Sequence, residues 1–138
     1  MTKPPPASHP TTIPPSLLYS VLCDDVRREA NGKLMLIGLF ETVGAPEFPA
    51  THPALYVVNG WAGGVGTFTQ HTRILGLDSA PIIQDRDTTF TLTDLRAKHS
   101  VIARFNNLPL TQPGEYAVEI MLNGDLKLRY PLLVDKSQ

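Results

Sequence analysis

One cysteine, Cys23, is the whole thiol inventory of a 138-residue chain. That excludes an internal disulfide and a multi-cysteine metal site, and it fits a reducing compartment. Charge is also sparse: twelve Lys and Arg against thirteen Asp and Glu leave a net charge of -1. The basic residues are scattered, so neither a phosphate-tracking surface nor a polybasic membrane patch is expected, and no nucleic-acid or membrane partner follows. No stretch approaches the length of a membrane span, and the opening MTKPPPASHPTTIPPS has no apolar core after Lys3. Nothing there resembles a signal peptide, so cytoplasm is the expected location.

Proline, by contrast, is concentrated: six of the thirteen fall between Met1 and Pro15. A segment short of backbone donors cannot build a ladder, so residues 1–15 are expected to be an extended tail. Residues 16–135 then form a single domain with a real core, and residues 136–138 a short C-terminal tail.

The clearest pattern lies near the end of the chain. Tyr116, Val118, Ile120 and Leu122 alternate with Ala117, Glu119 and Met121, a two-residue period with one face to bury. Asn123–Gly124 follows, and this pair is a strong hairpin signal because both turn positions need positive φ. The returning strand is read with Leu126, Leu128, Tyr130 and Leu132 on one face and Lys127 and Arg129 on the other.

Upstream, Leu17–Cys23 is apolar enough for a first strand, which Asp24–Asp25 is expected to end. DDVRREANG then reads as one helical turn, closed by Gly32. Leu34–Phe40 is apolar on both faces, with Gly38 marking a bulge or a close crossing. A surface edge should not look like this, so the strand is central, covered, or part of a subunit contact. Residues 44–53 read as a loop, and Ala54–Trp61 as a strand with Leu55, Val57 and Trp61 set against Tyr56, Val58 and Gly60. Thr67–Leu77 is less apolar and interrupted by Gln70, which suggests an edge or partly exposed position. Short strands at Thr88–Thr93 and Ser100–Phe105 complete the series. The expected fold is all-β: an antiparallel β-sandwich of about seven or eight strands, immunoglobulin-like or a related Greek key, with a small closed barrel as the alternative.

Cys23–Asp24–Asp25–Val26–Arg27, followed by Asn31–Gly32–Lys33 and Leu36–Ile37–Gly38, resembles a bacterial family of short uncharacterised β-rich domains. Asn107–Leu108–Pro109, Pro113–Gly114–Glu115–Tyr116 and Asn123–Gly124–Asp125 are similar to that family's closing pattern. The resemblance spans roughly Leu17 to Val134, implies a scaffold, and supplies no catalytic residues. The Pro-Gly-Glu-Tyr arrangement is also similar to sandwich domains in which a tyrosine near a strand start ties down a neighbouring connection.

Candidate chemistry is thin, and each candidate has a plain structural counterpart. Two adjacent carboxylates hinder thiolate formation, so Cys23 is expected to pack as a small hydrophobe. Asp24 and Asp25 are candidate ligand-binding residues, but calcium-loop spacing is missing and capping or pairing with Arg27 or Arg28 is simpler. His71, His99 and Asp87 form an imaginable metal or acid–base set, although no HxH or HExxH motif joins them. Trp61, Tyr56 and Asn59, beside a glycine-rich segment, are candidates for a ligand groove, with a buried core indole as the counterpart. Cys23, Gly38, Tyr116, Asn123 and Gly124 are assigned structural roles. No cofactor is implied. The leading functional reading is a noncatalytic protein-binding or structural module, with a protein partner or a homo-oligomer. The alternatives are a histidine/carboxylate metal-assisted hydrolase and a carbohydrate or small-ligand binder around Trp61.

Overall fold

The computed structural model describes residues 12–137. Ten strands follow one another: β1 (Ser16–Arg28), β2 (Leu34–Phe40), β3 (Thr42–Ala45), β4 (Ala50–Ala62), β5 (Gly66–Leu75), β6 (Pro81–Gln84), β7 (Thr88–Leu92), β8 (Lys98–Leu110), β9 (Gly114–Leu122) and β10 (Asp125–Lys136). They build a four-stranded sheet in the order β2-β1-β4-β8 and a six-stranded sheet in the order β3-β10-β9-β5-β6, with β7 also paired to β5. The two sheets pack face to face, as expected for an all-β chain.

Ten strands replace the expected seven or eight, and the sheets are not cleanly separate. β2 bends at Glu41 and continues as β3, which leaves the first sheet and pairs with β10 in parallel, Leu133 opposite Thr42. On the opposite side β6 and β7 both approach β8. The second sheet therefore curls like half a barrel. The additional strands are short ones, and β3 lies partly within residues 44–53, which composition marks as a loop.

The core follows from alternation. Leu55, Val57 and Trp61 of β4, Val101, Ala103 and Phe105 of β8, and Leu22 of β1 meet Phe68 and Ile74 of β5, Phe90 of β7, and Val118 and Ile120 of β9. Each fully buried Val, Leu, Ile or Phe among them contributes about 1.5–3 kcal/mol relative to exposure. Tyr116 anchors the entrance to β9. It is buried, its hydroxyl donates to the Gln112 carbonyl at 2.8 Å, and it accepts from the Gln112 amide at 3.4 Å. The β9–β10 turn has Asn123 at φ 49° and Gly124 at φ 84°. Asn123 also holds β5, accepting from the Thr69 amide through Oδ1 at 2.9 Å and donating its own amide to the Thr69 carbonyl at 2.8 Å.

Four local expectations give way to tertiary context. Asp24–Asp25 does not end β1, which runs to Arg28 because β2 supplies a ladder along it. The turn at residues 29–33 is a hairpin closed by Glu29 N to Lys33 O and Gly32 N to Glu29 O, and no helical turn forms. β5 is interior rather than an edge, and its polar residues are used inside: Gln70 accepts from Trp61 Nε1 at 2.7 Å and donates to Thr72 Oγ1 at 3.0 Å. A bulge between Leu126 and Leu128 shifts the register, so Leu126 pairs with Met121 while Leu128 pairs with inward-facing Ile120. One inserted residue thus turns Leu126 to the opposite face from Leu128.

Of the proline-rich segment, Met1–Thr11 lies outside the described residues. Ile13 exchanges both backbone hydrogen bonds with Val65 at 2.9 Å.

Candidate interaction face

β2 is the edge of the four-stranded sheet, and its seven residues, LMLIGLF, carry no charge. Its register with β1 sets Met35 beside Arg27, Ile37 beside Asp25 and Leu39 beside Cys23. Alternation turns these pairs away from the core. Met35 is 42% exposed, Ile37 39% and Leu39 62%. The sequence left three readings for this strand: central, covered, or part of a subunit contact. The first is excluded by its place in the sheet, and no element among the described residues covers it.

The rest of that face is continuous with the strip. Tyr19 lies across Gly60, whose missing side chain makes room for the ring, and the Tyr19 hydroxyl meets Ser100 Oγ at 3.1 Å. Arg104 stacks on Tyr56 with its guanidinium carbon 5.7 Å from the ring centre. Beneath these side chains Cys23 and Val58 are fully buried although they point outward, and Val21 and Ile102 are half-buried. Aromatic rings, an arginine and a methionine around an apolar centre are the composition that protein interfaces favour.

Charge at this face is small: Arg27 pairs with Asp25, and Arg104 lies over Tyr56. Arg27 Nε donates to Asp25 Oδ2 at 2.9 Å, and this bond, with the Val26 amide, holds the Asp25 carboxyl below its ordinary range. Burial, then the neighbouring Asp24, pushes the Cys23 thiol up, which disfavours the thiolate. Asp24 leans over Gly38, whose φ of 71° marks the interruption expected there.

The other candidate residues divide. Tyr56 lies on the interaction face, but Trp61 and Asn59 are fully buried. The Trp61 indole is spent on Gln70, and both polar atoms of the Asn59 amide lack a partner among the described residues. Trp61, Tyr56 and Asn59 therefore do not share a surface groove. His71 does meet Asp87, Nδ1 to Oδ1 at 2.9 Å, with Gln84 on its other nitrogen at 2.8 Å. His99 does not join them, and instead its ring stacks on Phe90 with centres 5.0 Å apart. Among the described residues no group of three or more His, Cys, Asp or Glu is placed to hold a metal ion.

Two further features escaped the sequence reading. An open groove of about 840 Å³ lies where β2 crosses into β3, walled by Leu22, Leu39, Phe40 and Leu133. Ser20 Oγ and the Tyr130 hydroxyl meet there at 2.8 Å, and burial pushes the Tyr130 phenol up to about 12. On the outer side of the second sheet, the buried Glu119 carboxylate takes Arg73 Nε at 2.7 Å and Arg129 Nη1 at 3.6 Å. Both sets join strands distant in sequence, so no local motif signals them.

A family model described as a family of unknown function (DUF6941) matches residues 18–135. No curated protein matches the chain.

Proposed function

The chain belongs to that family of unknown function, and from this premise we propose that it is a noncatalytic protein-interaction module. Its contact surface is the outer face of the four-stranded sheet. The observation that carries the reading is the uncovered strip Met35, Ile37 and Leu39 on an uncharged edge strand. Single exposed apolar side chains are ordinary, whereas a contiguous strip flanked by tyrosines and an arginine marks a contact site. The buried sheet beneath it supplies a rigid platform. A metal-assisted hydrolase reading gains little from His71 and Asp87, because the third group on the imidazole is the Gln84 amide and no third His, Cys, Asp or Glu among the described residues joins them to hold a metal ion.

The test compares immobilised wild-type protein with Ile37→Lys and with Leu95→Lys, a control at another exposed leucine. Bound protein from lysate, further copies of this chain included, is quantified after circular dichroism confirms that each variant is folded. Binding lost with Ile37→Lys and kept with Leu95→Lys supports the face. Binding unchanged by Ile37→Lys removes it.

A further inference from the structure

We propose that the partner on this face is a second copy of the chain, joined by antiparallel pairing of β2 with β2 across a twofold axis at Ile37. This rests on the interaction-face reading and specifies its occupant. The other sheet edges are guarded, and the half of β1 that β2 leaves unpaired, Ser16–Val21, is broken by a bulge between Leu17 and Tyr19. The half of β10 not paired to β3 carries Asp125, Lys127, Arg129 and Pro131. β8 is approached by β6 and β7, and β3 is four residues long. β2 has neither charge nor proline over seven residues, and a bare edge of that kind is a template for another strand.

The flanking residues select the occupant and the register. Lys33 and Glu41, both exposed, bracket Leu34–Phe40. In antiparallel pairing centred on Ile37, Ile37 meets Ile37, Met35 meets Leu39, Leu34 meets Phe40, and Lys33 meets Glu41. The opposite charges come together at both ends of the paired strand, as an isologous contact requires. Moving the axis to Leu36 sets Lys33 against Leu39, and moving it to Gly38 sets Glu41 against Met35. Only the Ile37 register matches apolar to apolar and cation to anion throughout. Gly38, without a side chain, stands opposite Leu36 of the other copy. The same axis keeps Met35, Ile37 and Leu39 of both copies on one side, as one continuous apolar strip. Pairing of this length buries on the order of 1,000 Å² in total, the low end for specific complexes, so association in the micromolar range is expected.

The test is sedimentation of the full chain from low to several hundred micromolar. The mass should rise from the monomer's 15.1 kDa toward twice that value. Lys33→Glu and Glu41→Lys should each weaken association roughly tenfold, because each places like charges opposite one another at both ends. The combined variant should restore it. Both side chains are exposed, so circular dichroism should show the fold intact. A monomer at every concentration overturns the proposal, as does a dimer indifferent to the single swaps or not restored by the double one. A monomeric wild type that still loses a different protein on Ile37→Lys overturns this proposal and leaves the interaction face standing.

Discussion

Replacing Arg73 with leucine should expose the cost of the carboxylate buried on the outer side of the six-stranded sheet. Leucine keeps part of the apolar stem and removes the guanidinium. The Glu119 side chain is 5% exposed, and its near partner Arg73 is 31% exposed. Breaking a buried pair by removing one member costs about 3–5 kcal/mol, since the other charge is left without its hydration or its partner. Two features reduce that figure here. Water reaches Arg73, and Arg129 remains 3.6 Å from the other carboxylate oxygen. A loss of about 2 kcal/mol is therefore expected, lowering the melting temperature by roughly 8 °C for a domain of this size. Urea unfolding of wild type, Arg73→Leu, Glu119→Leu and the double variant measures it. The double variant should be more stable than Arg73→Leu alone, because it removes the stranded carboxylate as well. An Arg73→Leu loss below about 0.5 kcal/mol, typical of ordinary surface positions, would show that solvent already screens the pair and would refute the reasoning.

Gly60→Ala should cost about 1 kcal/mol, because the new methyl overlaps the Tyr19 ring and forces it off Ser100; urea unfolding reads the loss. Gly124→Ala meets no atom within 4 Å, so its loss of about 1–2 kcal/mol comes from backbone strain at φ 84° alone and should leave association unchanged. Burial raises the folded pKa of Tyr130 from the ordinary phenol value of 10.0 to about 12, so its stabilisation is fully present below pH 10 and lost as pH rises toward 12. That contribution is on the order of 3 kcal/mol, and Tyr130→Phe should flatten the fall in stability across this window relative to wild type.

Legibility followed the range of the interactions. The β9–β10 hairpin could be read from Asn123–Gly124 because its constraint is local, two adjacent positive φ angles. Tyr116 was equally readable, since its hydroxyl partner Gln112 is only four residues away. The polarity of β5 suggests exposure from local sequence alone, whereas Gln70 satisfies the buried Trp61 indole of β4 and Thr72 in turn accepts from the Gln70 amide. Asp24–Asp25 suggests a strand end because carboxylates disfavour strands locally, yet pairing with β2 carries β1 through them. The one-residue bulge that reverses Leu126 has no marker in the sequence. The double-sided apolar character of Leu34–Phe40 was legible, but its position was not. Only the strand order shows that this apolar run is an edge, and that is what turns a packing signal into a contact surface.

Amide hydrogen exchange at two protein concentrations tests the contact surface most directly. Outward amides of Leu34–Phe40 should exchange freely in dilute solution and gain protection when the chain is concentrated. The guarded edge Asp125–Arg129 should stay unchanged. Protection of β2 that is the same at both concentrations, or a gain that falls on another edge, would contradict the account.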